Sequence, residues 1–493
     1  MRTVLLCALL LITLSAPALA GPLDITLSRG DLGNVITVEL SGDPGELYAI
    51  VFSDDSSNMF KWISLTLSVP GLFGTLDGNG EATANLPIPG GAAFNNFVIY
   101  SQAATVTLNP LQIDDLSSIC TIKLGYGETF VASQDQMTSE RTFATGTQLD
   151  DDRVLIAGGG GGQVFTPVGL RTAEIYDPCS DQFTLLTSLM AVERSLHSAA
   201  KLQDGKVLVT GGSDPFLVIS PTADVFDPVT NNFTQTSGNM RRGRIGHGQV
   251  TLNDGRVIVT GGSNALGDVV TFVTGTTNQT DIYDPNTDSF AAGPNMSEPK
   301  VFASATKLQD GRTLVSGGFS FFTIIIPVPY ISSNAQILNV AGTSFSGTGS
   351  LNTNRVGHTS VVLSGGDILV AGGASDPVLD PATVASAERF NPGSGTFSNV
   401  GSMTTSRALF PLVRLGDGRV LAAGGGTGTY LNLLATNLAE IFDPSSNTWS
   451  TTSAMGSSRG AQVGLRLDTG RVLMVGGADT NQNALKTAEL FIE

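Results

Sequence analysis

A pair of adjacent glycines recurs along this chain at Gly158-Gly159, Gly211-Gly212, Gly261-Gly262, Gly317-Gly318, Gly372-Gly373, Gly424-Gly425 and Gly476-Gly477. Successive pairs lie 53, 50, 56, 55, 52 and 52 residues apart. A period of this size marks an array of equal supersecondary units, either a solenoid or a closed ring. The residues before the glycines repeat too, as in LQDGKVLVTGG (202–212), LNDGRVIVTGG (252–262) and LQDGRTLVSGG (308–318). Asp-Gly between two β-rich runs predicts a hairpin with a two-residue turn, both residues tolerating positive φ. A variable loop then leads to a third strand ending in Asp-Pro, as in TADVFDPVT (222–230), and to a fourth such as NNFTQTSGNM (231–240). Four antiparallel strands per unit build one blade of a β-propeller.

Units of the form R-x-G-H-x-x-x-x-L-x-D-G-x-V-x-V-x-G-G, followed by A-x-V-F-D-P-x-T-x-x-F, resemble Kelch repeats, particularly those of the galactose-oxidase-like central domain. The resemblance covers roughly residues 128–493. The last unit stops at TAELFIE, after its third strand, and its missing strand is found upstream in ETFVASQDQM (128–137). There Phe130 precedes Met137 by seven residues, as Phe183 precedes Met190 and Phe233 precedes Met240. The expected fold class is therefore all-β: a seven-bladed Kelch-type β-propeller over 128–493, closed by a strand within 128–136, and preceded by a small β-sandwich. Residues 21–118 lack the repeat but hold short alternating strands between Gly, Pro and Asp turns, which places the sandwich there and a linker at 119–127. Within the sandwich, LDGNGEA (76–82) has the look of a calcium loop but lacks its remaining ligands, and is expected to be a hairpin turn.

The first 20 residues combine Arg2, an apolar run and a small-residue Ala-Leu-Ala end, the pattern of an export signal. Secretion, the periplasm or the cell surface is the expected location, with no transmembrane segment after signal removal and a monomer as the working state. Removing the signal leaves two cysteines, Cys120 and Cys179. In an exported protein they suggest one disulfide, with two unpaired thiols as the alternative. On the propeller reading the pair meets beside the closing strand. The formal net charge of −17 excludes general nucleic-acid binding, which requires a basic surface.

Aligning the units exposes Arg141, Arg194, Arg244, Arg355, Arg407 and Arg459 where the inner strands begin, with Lys300 in the fourth unit. In a propeller these positions surround one mouth of the axial channel. They are the candidate ligand-binding residues, since guanidinium groups suit carboxylates and phosphates. The competing reading pairs each with an acid at the start of the third strand: Glu174, Asp224, Asp281, Glu388, Glu440 and Glu489, with Gln336 in the fourth unit. His197, His247 and His358 each follow such an arginine by three residues and read as packing positions rather than a metal site. Apolar loops at 215–220, 268–273, 319–331 and 429–434 rise on the same face.

What the resemblance implies for chemistry is limited. Galactose oxidase holds copper with histidines, tyrosines and a cross-linked cysteine, and this chain has no histidine after His358 and no propeller cysteine beyond Cys179. No catalytic residue, metal or cofactor is expected. The expected function is non-enzymatic recognition of a protein or glycan through the loop face. The alternative is a galactose-oxidase-like enzyme that lacks the copper site and carries other chemistry.

Overall fold

The computed structural model describes residues 23–27, 35–54, 70–88, 97–108, 111–117, 119–124, 127–163, 166–267, 269–323, 326–429 and 432–493. The segment read as an export signal, residues 1–20, lies outside them. The described residues are almost wholly β, with one short helix, Val269–Thr274. The all-β expectation holds, and the repeats form four-stranded antiparallel sheets consistent with a β-propeller.

Taken in chain order, the first sheet is Thr145–Gln148, Val154–Ala157, Ala173–Asp177 and Gln182–Leu185. The second is Ser198–Lys201, Val207–Thr210, Ala223–Asp227 and Asn232–Gln235, and five further repeats of the plan follow. Each second strand, such as VLVT at 207–210, is buried at every position because neighbouring sheets pack on both of its faces. Inner strands pack side by side in sequence order, and Val463–Arg466 of the last sheet packs against Thr145–Gln148 of the first. The hairpin before each second strand differs from the expected two-residue turn. Leu202 and Lys206 close a three-residue loop in which Gly205 alone takes positive φ (81°). An αL glycine closing a type I turn bends the chain enough, so Asp204 is spared that conformation.

The double glycine is the contact between consecutive sheets. A Cβ on the first glycine of any pair would lie 2.3–2.7 Å from the backbone carbonyl oxygen of the arginine, or Lys300, that opens the next sheet. The second glycine's N–H donates to that same carbonyl at 2.7–2.9 Å, and the last pair donates to Arg141 of the first sheet. At Gly211 (φ 66°) any side chain would collide with Arg244, which is why the motif returns at every junction.

The closing strand is Thr129–Ala132, which pairs with Ala488–Ile492 and sets Phe130 opposite Phe491, ring centroids 4.9 Å apart. Other sheets carry an aromatic pair at this place, among them Tyr176 with Phe183 and Phe226 with Phe233. Ser133 and the Gln134 N–H both bond Asp181 of the first sheet, tying the closing segment to its neighbour.

Ahead of the repeats, one sheet (Asp24–Leu27, Val35–Ser41, Glu81–Pro87) and another built on Leu47–Ser53 and Val98–Leu108 share one buried cluster. Residues 76–82 form a hairpin turn there, with Asp77 accepting the N–H groups of Asn79 and Glu81. The expected linker at 119–127 is corrected. Cys120–Lys123 is a strand paired with Val98–Leu108, because Cys120, Ile122 and Leu124 alternate into that core. Three buried residues were too short a run to register as a strand.

Cys120 and Cys179 are joined in a disulfide. Cys179 sits in the turn between the third and fourth strands of the first sheet and packs on the N-terminal core. The bond therefore staples the N-terminal sheets to the repeat region. With a sequence separation of 59, replacing both cysteines by serine should cost about 3–4 kcal/mol. Calorimetry of the oxidised protein and the double variant checks this.

Candidate functional site

The residue two positions after each inner-strand cation takes left-handed φ: Phe143 (53°), Leu196 (58°), Gly246 (58°), Phe302 (52°), Gly357 (62°), Leu409 (54°) and Ala461 (54°). The residue between bridges to the strand leaving the double glycine, and at Thr142 and Ser195 it is fully buried. The following residue must then turn toward the axis. Its backbone N–H donates to the matching carbonyl of the preceding sheet: Ala461 to Leu409, Leu409 to Gly357, Gly357 to Phe302, Phe302 to Gly246 and Gly246 to Leu196, at 2.8–3.2 Å. Phe143 donates to Ala461 and joins the last sheet to the first. A nearly complete belt of backbone hydrogen bonds thus rings the axis.

Five of these seven residues are not glycine. Each pays about 1–2 kcal/mol for that conformation, although Gly246 and Gly357 show that glycine fits the same turn. Their side chains are what the conformation retains. Phe143, Leu196, Phe302, Leu409 and Ala461 form the floor of a pocket of about 430 Å³. Its upper wall comes from the loops beyond the double glycines: Leu217, Leu266, Phe272, Leu433, Asp479 and Gln482 among them. The helix Val269–Thr274 sets Phe272 against Phe302, with centroids 5.7 Å apart, and against Phe319, edge-on at 6.5 Å. Among the described residues Asp479 is the one charged residue on the wall. Its Oδ1 accepts the N–H groups of Asn481 (2.8 Å) and Asn483 (2.9 Å), which fixes the carboxylate's orientation.

The arginine ring is corrected. Arg141, Arg194, Arg244, Arg355, Arg407 and Arg459 are at most 1% exposed and do not line this mouth. Each guanidinium donates to the carbonyl of its own sheet's first glycine at 2.6–3.0 Å. Each also pairs with the acid of its own sheet, as Arg141–Glu174 (3.0 Å), Arg194–Asp224 (2.6 Å) and Arg355–Glu388 (2.9 Å) illustrate. Arg244 pairs likewise with Asp281, Arg407 with Glu440 and Arg459 with Glu489. Most of the acids also accept turn N–H groups, as Glu174 does from Thr138 and Ser139, while Asp281 takes a second arginine, Arg241, at 2.7 Å. A charge removed from water must find such partners, and all six guanidinium groups are sealed within their own sheets, out of a ligand's reach. In the fourth sheet Gln336 replaces the acid, and Lys300 takes its carboxylate from Glu298 (2.6 Å) two residues earlier.

The histidines sit between sheets. His197 Nε2 meets Thr145 Oγ1 at 2.9 Å and His247 Nε2 meets Thr210 Oγ1 at 2.8 Å; His358 lies 3.4 Å from Ser316. Burial, with neighbouring cations, pushes all three down to about 3. Among the described residues no group of histidine, cysteine or carboxylate side chains is placed to hold a metal ion. The sequence placed the apolar loops holding Leu217, Phe272 and Leu433 on this face, but it missed the floor residues because they share no residue type. Their constant offset from the arginines was the available signal.

No family model matches the chain, and no curated protein matches it. Among solved structures, a fungal alcohol oxidase of the AA5 family in complex with copper matches with a TM-score of 0.57 at 16% identity, over 74% of this chain and 75% of that one. The structure of YjhT matches with a TM-score of 0.48 at 14% identity, over 64% of this chain and 99% of that one. The likeness to the oxidase supports a galactose-oxidase-like fold. It also overturns the expectation of a non-enzymatic binder, because the matching scaffold is that of an enzyme, and the alternative fits better. Copper itself does not fit this mouth. Copper sites draw on imidazole and thiolate donors, whereas the described residues of the pocket wall offer one carboxylate, one amide and a serine hydroxyl.

Proposed function

We propose that the chain is an exported, monomeric enzyme of the galactose-oxidase-like group without the copper centre, acting on a small molecule in the axial pocket. In this reading the four-stranded sheets are the blades of a seven-bladed Kelch-type propeller, and the described strands ahead of it, from Asp24–Leu27 to Cys120–Lys123, form a β-sandwich. The carrying observation is the set of strained, bulky residues on the pocket floor, kept where glycine would fold at less cost. Strain retained at a concave site points to function there. A mostly apolar pocket with a few converging polar groups is also the usual form of a small-molecule site. Among the described residues of the wall Asp479 supplies the one carboxylate, and Gln482 and Ser213 add polar side chains to the same pocket.

The test is turnover of a small-molecule panel, beginning with alcohols because the structural neighbour oxidises them, followed by mass spectrometry of products and metal analysis. Product formation without stoichiometric copper is expected. Leu409→Gly should abolish it while the melting temperature holds or rises, since removing αL strain returns about 1 kcal/mol. Stoichiometric copper with peroxide release, or turnover indifferent to Leu409→Gly, would overturn the proposal.

A further inference from the structure

Resting on the axial pocket as the substrate site, we infer that its ligand is a small organic cation with an apolar body, such as an alkyl- or arylammonium. Three observations lead there. Among the described residues the wall carries a single charge, the carboxylate of Asp479, with no lysine or arginine beside it in the lining. Both N–H bonds to that carboxylate fall on Oδ1, so Oδ2 is the oxygen held ready for an ammonium. Phe143, Phe272 and Phe302 supply aromatic walls, whose negative ring faces attract cations while their area covers apolar carbon.

The same features disfavour anions. A carboxylate or phosphate would enter a mouth where the charge on the described wall, that of Asp479, repels it, in a chain of net charge −17. The arginines that sequence reasoning aimed at an anion are spent inside the sheets. A neutral alcohol would bury its carbon equally well but would forgo both the ion pair and the cation–ring attraction.

Calorimetric titration of the intact chain with benzylamine, benzyltrimethylammonium, benzyl alcohol and benzoate tests the inference. The two cations should bind about tenfold more tightly than the alcohol, with benzoate weakest. Asp479→Asn keeps an oxygen for the turn's N–H groups and should hold the melting temperature. It should bring the cations to within about twofold of the alcohol and leave the alcohol unchanged. Equal binding of amine and alcohol, or cation binding untouched by Asp479→Asn, refutes the cation while leaving the pocket standing. If no probe binds, or Leu409→Gly affects none of them, the pocket reading fails as well.

Discussion

Acidification from about pH 7.5 to about pH 5 is expected to remove roughly 6 kcal/mol of folding stability through three buried histidines alone. His197, His247 and His358 are held neutral, with their ionisation depressed from 6.5 to about 3. Burial is the leading cause, and each ring also faces cations: Arg194 and Arg141 for His197, Arg244 and Arg194 for His247, Arg355 and Lys300 for His358. Once unfolded, each imidazole takes a proton below its ordinary value, while the folded chain refuses it. The unfolded state therefore binds more protons, and the stability present above that value is lost as the pH falls toward 3. At about pH 5 each histidine contributes about 2 kcal/mol of that loss. The chain supplies its own control, because Gln462 holds the equivalent place in the last sheet and donates to the Ala423 carbonyl at 2.8 Å. Changing all three histidines to glutamine should flatten the loss between the two pH values, read by urea denaturation. Parallel losses in both proteins would show that other groups govern acid stability.

Glu388→Ala is expected to cost about 3–5 kcal/mol, because it strands the Arg355 guanidinium inside the fifth sheet. Arg355 is fully buried, and Glu388 also receives the N–H groups of Asn352 and Thr353. The fourth sheet shows what the interior requires. There the acid has become Gln336, yet Glu298 reaches Lys300 and takes a further bond from the Tyr330 hydroxyl at 2.6 Å. The demand is for one carboxylate per buried cation and not for a particular position. A transplant tests this, since Thr353 corresponds to Glu298 by its offset from the cation. The Arg355→Lys, Glu388→Gln variant should be strongly destabilised, and adding Thr353→Glu should recover at least about 1 kcal/mol. No recovery would mean that the local turn bonds, and not the charge pair, set the cost.

Most of the scaffold was legible because its instructions are local. Gly211 must lack a Cβ, Gly205 must turn, and Phe130 stands seven residues before Met137 as its counterparts do elsewhere. The strand at Cys120–Lys123 was not legible, since it has only a distant sheet to mark it.

From repetition and turn chemistry alone came the all-β class, the repeated four-stranded unit and the supply of the last strand from upstream. Each of these rests on spacing that a linear chain displays. The polarity of the mouth is different. Arg244 and Gly246 are two residues apart, and the first is sealed beneath Asp281 while the second belongs to the turn facing the axis. That outcome depends on a reversal of φ imposed by the neighbouring sheet's backbone. Only when all the sheets stand around one axis do the arginines turn inward and Phe143, Leu196 and Leu409 converge. The result is an apolar, negatively charged pocket where the sequence had promised a positive one.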